Sequence, residues 1–396
     1  MEFNFDKKVN RYNTASLKWD NVKEYYPNAK EDPFIMWVAD MDLECAPCIL
    51  DALHKRVDQG IYGYSQEGDQ EYKRVIHNWM MRRHNWDVDK EAIFYSPGIL
   101  AALGYILQML TEPGDGVIIQ QPVYYPFAYL PNGTERKVVD NTLICKDGRY
   151  QMDLEDLEKK LQDDNNKMVI FCNPHNPVGR SWSKEELTAF VALCKKYDKL
   201  IVSDEIHFDL TRTGVTHTVL ETIDPSYKQR IITCTAPSKS FNLAGLQNSN
   251  IIINDPEIQK QWKYFTRYIA HLDGANTFGA VANVAAYEEG EAWLDAARSY
   301  IDGNIAYMKD FIGENLPKLT FIDCEATYLT WVDFSGYGLE EEEVDRILIE
   351  EAGVLLDNGT AFGEPGRGYQ RFNVACARST VQGAMESIQA AFAKYE

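Results

Sequence analysis

Apolar residues in the middle of the chain gather into short runs of strand length, at 117–119, 168–172, 200–202, 231–234 and 251–253. The runs are rich in valine and isoleucine and carry almost no polar residue, as expected of strands buried on both faces. Between the second and third, the spacing changes. Ser183 followed by Glu186 predicts a capping box at a helix start. Leu187, Phe190, Val191 and Cys194 then recur at i, i+3, i+4 and i+7, which gives one apolar helix face. Strand, helix and strand form a βαβ unit, so this region predicts a mostly parallel sheet covered by helices.

The last hundred residues follow another pattern. Residues 340–352 predict an acidic amphipathic helix, with Val344, Ile347 and Leu348 inward and Gly353 as its C-cap. Residues 328–334 and 371–376 alternate as half-buried strands do. The expected fold class is therefore α/β: a three-layer α/β/α large domain with a mostly parallel sheet, plus a smaller α+β domain. The smaller domain is expected to combine the N-terminal segment, 1–47, with the C-terminal part, 290–396, leaving 48–289 as the large domain.

Charge narrows the partners. With 40 basic and 60 acidic side chains the formal charge is −20, which repels nucleic acid and anionic lipid. Any anionic ligand must be held by local donors against that field. No run approaches the ~18 apolar residues of a membrane span. Nor does the N-terminus have the basic and apolar regions of a secretory signal, so the expected location is the cytoplasm. Eight cysteines are scattered, and only Cys45 and Cys48 have C-x-x-C spacing. No second pair or histidine cluster follows to complete a zinc site, so reduced thiols acting as small hydrophobes are expected.

Ligands of open α/β sheets bind beyond the carboxyl ends of the strands. The run at 168–172 leads to Asn176, that at 200–202 to Asp204 and His207, and that at 231–234 to Ser238 and Lys239. Singly these have plainer readings. Asp204 could cap a helix, His207 sit in the core, Asn176 shape a turn and Lys239 lie in solvent. On successive strand ends they predict one cleft, and the set suits pyridoxal 5′-phosphate. A lysine can bond its aldehyde, and a buried carboxylate can keep its ring nitrogen protonated. An amide and an imidazole can orient its phenolic oxygen. Gly98, Ile99 and Leu100 open an apolar helix-like run, and N–H groups at such a turn favour a phosphate. Tyr124 follows the first strand and could stack on a flat ring.

These residues resemble the fold-type I pyridoxal phosphate enzymes, the aspartate aminotransferase superfamily. Lys239 follows Asp204 within that family's range. The nearer likeness is to carbon–sulfur lyases of the cystathionine β-lyase and cystalysin type. It rests on L-K-W-D at 17–20, V-A-D-M-D at 38–42, G-Y-S at 63–65, P-H-N-P-V-G at 174–179, S-D-E-I-H-F-D at 203–209, A-P-S-K-S-F-N at 236–242 and T-Y-L-T-W at 327–331. It runs from about Phe5 to the C-terminus.

The resemblance implies roles. Lys239 is similar to the Schiff-base lysine and Asp204 to the partner of the ring nitrogen. Asn176 and His207 resemble the ligands of the phenolic oxygen, and Tyr124 resembles the stacking ring, counted with Lys239 and Asp204 as catalytic. Gly98, Ile99, Leu100 and Ser238 resemble phosphate contacts. Tyr64 resembles a tyrosine that reaches the neighbouring subunit's phosphate, which implies a homodimer with sites at its interface. Arg378 resembles the arginine that binds the substrate carboxylate, with Asn176 beside it. Strand alternation puts Arg378 in phase with Phe372, Val374 and Cys376, at the end of an inward row.

Two positions depart from the pattern. Many aminotransferases place a phosphate-binding serine where this chain has Ala236, and an arginine where it has Gln247. The expected activity is α,β-elimination of a sulfur amino acid. An aminotransferase is the alternative, and a regulatory protein on the same fold a more distant one.

Overall fold

The computed structural model describes residues 3–65, 70–272 and 274–395. Seven strands form the main sheet: Ile93–Ser96 (β1), Gly116–Ile119 (β2), Lys137–Asp140 (β3), Asn166–Cys172 (β4), Leu200–Asp204 (β5), Ile231–Thr235 (β6) and Ser249–Ile253 (β7). Their order across the sheet is β1-β7-β6-β5-β4-β2-β3. All neighbours pair in parallel except β7, which runs antiparallel to both β1 and β6. This is an α/β fold with a mostly parallel sheet.

The continuous apolar runs are explained by burial on both faces. On β4, Met168 and Ile170 point into one core, and Val169 and Phe171 into another. Helix α1 (Ile99–Leu110) packs Ala102, Leu103 and Ile106 into the first. Helix α2 (Lys184–Lys196) packs Leu187, Phe190, Val191 and Cys194 into the second, and Ser183 and Glu186 make both bonds of its capping box. Each Leu, Ile, Val, Phe or Met among these contributes roughly 1.5–3 kcal/mol. The edge strand β3 is half exposed, so no apolar run marks it.

A second sheet, all antiparallel, joins Thr320–Phe321 (β8), Leu329–Asp333 (β9), Asp357–Asn358 (β10) and Tyr369–Asn373 (β11) in the order β8-β9-β11-β10. The chain's early Phe34–Ile35 pairs in parallel with Val354–Leu355. The helix expected at 340–352 is helical from Glu341, but its second half, Ile347–Ala352, widens into a π-helix that Gly353 ends at φ +67°. The strand expected at 371–376 stops at Asn373. There the asparagine side chain donates to the carbonyls of Val38 and Asp40 and accepts from Ala375 N–H, which turns the chain. All eight cysteines are free thiols, four of them buried. Among the described residues no helix is long and apolar enough to cross a membrane.

Candidate active site

Register brings the chemistry together. Cys172 ends β4 opposite Asp204 on β5, and Asp204 lies opposite Cys234 on β6. The loops leaving these three neighbours carry Asn176, His207 and Lys239. Lys239 sits on a single helical turn, α3 (Pro237–Ser240), and the next residue, Ser240, donates to the buried Asp209 carboxylate at 2.7 Å. That carboxylate also accepts from Trp79 at 3.1 Å and pairs with His84 at 2.8 Å, so the turn is tied to the core.

The loop bearing Asn176 is held equally firmly. Gly179 has φ +70°, and a Cβ there would approach Cys324 Sγ to 3.1 Å, a conformation and clearance that suit glycine. Arg180, fully buried, pairs with Glu186 and Glu325.

A cavity of about 330 Å³ opens at these strand ends. Its lining includes Gly98, Ile99, Leu100, Tyr124, Asn176, Asp204, His207, Ser238 and Lys239. Nine of the eleven residues singled out in the sequence thus share one space. The other two do not. Tyr64 is fully exposed on the surface of its own chain.

Arg378 begins helix α4 (Arg378–Phe392), where its Nε donates to Asn304 and its guanidinium lies 5.6 Å from the ring of Tyr307. The row it was expected to extend, Phe372, Val374 and Cys376, leads into the hydrophobic core and not into the cavity. Arg371, in the opposite phase of β11, is the buried guanidinium at the site. Its Nη1 donates to Asn176 Oδ1 at 3.1 Å, its Nη2 pairs with Asp357, and its Nε is buried with no partner among the described residues. Arg371 lies within β11 and Arg378 beyond its end, and the turn at Asn373, which alternation alone does not show, breaks the phase between them.

Ala39 lies within the V-A-D-M-D motif, which gives it no role. Its carbonyl accepts from Lys239 Nζ at 2.6 Å and from the Tyr328 hydroxyl at 2.9 Å. The T-Y-L-T-W motif held that tyrosine, but nothing in it marks the partner.

The electrostatics follow from burial. Desolvation pulls the Lys239 ammonium down to about 8, helped by the nearby Arg371 charge and opposed by Asp40 and Asp204. Asp204 is pushed up to about 7 by burial, against the pull of the Ile206 N–H and the Lys239 charge. Burial holds His207 well below its usual value and thus neutral, and raises the Tyr124 phenol, so that it stays protonated.

The arrangement has counterparts among known proteins. Residues 38–388 match the family described as aminotransferase class I and II. The chain belongs to that family. Cystathionine beta-lyase PatB of Bacillus subtilis is 42% identical over 389 residues, which cover 98% of this chain and 99% of that protein. Cystalysin from Treponema denticola, whose crystal structure contains a pyridoxal 5′-phosphate cofactor, is 37% identical, with a TM-score of 0.96 and 100% coverage of both chains. The PLP-bound C–S lyase from Staphylococcus hominis is 35% identical with a TM-score of 0.92, over 99% of this chain and 98% of that one.

The side chains of this aminotransferase-family cavity fit pyridoxal 5′-phosphate. Asp204 is a buried carboxylate that no cation pairs with among the described residues, which suits a protonated ring nitrogen. His207 Nδ1 is buried without a partner.

Removing the Asp204 charge has a signed consequence. Its folded-state value lies above the unfolded one near 4, so the cofactor-free fold loses stability as pH rises from about 4 through 7. Asp204→Asn is therefore expected to stabilise the cofactor-free chain at pH 8 by roughly 2–4 kcal/mol, less at pH 5. With cofactor bound, the order should reverse. Thermal melts of both forms at the two pH values check this, and a cofactor-free variant less stable than wild type at pH 8 contradicts it.

Proposed function

We propose that this chain is a pyridoxal phosphate-dependent carbon–sulfur β-lyase. It splits sulfur amino acids such as cystathionine or cysteine into pyruvate, ammonia and a thiol or sulfide. The observation that carries the reading is the 42% identity with a cystathionine beta-lyase along nearly the whole of both chains. The cavity supports it, because the lining supplies one amine, one uncompensated carboxylate and one half-buried phenol.

Lys239 would hold the cofactor by its aldehyde, Asp204 by its ring nitrogen, Asn176 and His207 by its phenolic oxygen, and Gly98, Ile99, Leu100 and Ser238 by its phosphate. Bound there, the cofactor supplies an electron sink that makes the substrate's Cα–H bond acidic. Lys239, with its proton affinity lowered to about 8, is a competent base for that proton near neutral pH. Arg371 holds the substrate carboxylate, using the Nε donor that has no partner and the fork beside Asn176. Tyr124 stays protonated, would cover the ring face and would donate to the departing sulfur. Its neighbour Tyr125 is more exposed and does not line the cavity.

Tyr64 completes the phosphate site of a second copy in a homodimer, consistent with its exposure on its own chain. The domain boundaries proposed with this reading are 1–47, 48–289 and 290–396.

The test is to supply cystathionine with no oxo acid present. Pyruvate, ammonia and thiol are expected over many turnovers. A single equivalent followed by arrest would identify transamination instead.

A further inference from the structure

One end of the cavity is formed by the start of α1. Gly98 caps this twelve-residue helix without a side-chain hydrogen bond, and Ile99, Leu100 and Ala101 continue the lining. The first N–H groups of such a helix favour an anion. The sheet register sets what stands next to them. Ser249 on β7 pairs with Ser96 on β1 in antiparallel register, so the next rung brings Asn248 beside Pro97.

Asn248 lines the cavity and is only 4% exposed. Its Oδ1 lies 2.9 Å from the Tyr72 hydroxyl, which also reaches Asn250 Oδ1 at 2.8 Å. Its Nδ2 is buried with no partner among the described residues. An unpaired buried donor costs roughly 1–3 kcal/mol, so one at a cavity wall needs a reason. The cavity also lacks a fixed cation at this end. Ala236 and Gln247 stand where many aminotransferases carry a serine and an arginine, and Lys239 is the only cation among the described residues of the lining.

We propose that Asn248 is a phosphate-binding residue, whose side-chain amide donates to a phosphate monoester seated on the N-terminus of α1 in place of the missing guanidinium. The seat works through neutral donors, Ser238 among them. It deepens the cofactor assignment above and rests on it. A neutral donor needs no desolvation of a cation before the ligand arrives, and its bond to the anion is charge-assisted.

The test separates the phosphate from the rest of the cofactor. The full-length chain is stripped of cofactor and titrated with pyridoxal 5′-phosphate and, separately, with pyridoxal, following the absorbance of the lysine adduct. Asn248→Ala is expected to weaken the phosphate ester roughly 10- to 100-fold while pyridoxal stays within about twofold. Asn248→Asp retains an acceptor for Tyr72 and adds a negative charge, so its loss should be larger and again confined to the ester. Gln247→Arg in the Asn248→Ala background should restore the ester's affinity, and this pair suffices if the aspartate variant does not fold. Equal losses for both aldehydes, or for neither, would overturn the proposal. A wild-type chain that binds neither aldehyde would overturn the cofactor assignment with it.

Discussion

Lys239→Ala is expected to lower turnover of cystathionine or cysteine by at least about 10³-fold, measured as pyruvate release. Lys239 is the only amine among the described residues of the cavity lining, so no neighbour there can take its place as covalent anchor or base. The loss should be chemical and not structural. Without the lysine, the Ala39 carbonyl keeps its bond from the Tyr328 hydroxyl, and α3 keeps its tie from Ser240 to Asp209. The variant should therefore melt within a few degrees of the cofactor-free wild type. Near-normal turnover by the well-folded variant would refute the role given to this residue and the reading built on it.

The second large effect distinguishes two arginines. Arg371→Lys is expected to lower kcat/KM roughly 30- to 1,000-fold, mostly through KM, because it loses a buried charge-assisted fork. Lysine is the informative replacement, since a neutral side chain would also strand the Asp357 carboxylate that Arg371 pairs with. Arg378→Gln is expected to change kcat/KM less than about threefold if the fold is kept, because its guanidinium serves Asn304 and Tyr307 outside the cavity. Steady-state kinetics on one thioether substrate compare the two. The opposite ranking would return the carboxylate to Arg378.

That pair of residues shows where the sequence is readable and where it is not. The central strands announce themselves because burial on both faces demands unbroken apolar runs, and the residues just past them are fixed by local chain geometry. Asp204, Lys239 and Asn176 were legible for that reason. The half-exposed edge strand β3 leaves no such mark. Arg371 depends on where β11 stops, and that is decided by Asn373 reaching the carbonyl of Val38, 335 residues away. Asn248 gains its meaning from Tyr72, 176 residues distant. The place proposed for Tyr64 is in a second molecule, about which one chain's pattern is silent. Contacts of this separation leave no periodic trace.

The wall behind Lys239 has a consequence for biosynthesis. The lysine's partner, Ala39, was translated 200 residues before it, whereas Arg371 arrives on the final strand. A nascent chain can collapse around its central sheet early, as domains do while still being made. On the role proposed for Arg371, it cannot yet hold a substrate carboxylate. On that reading the enzyme gains its activity only once β11 has been made, and a ribosome-stalled fragment ending before β11 should be catalytically silent even where the sheet has formed.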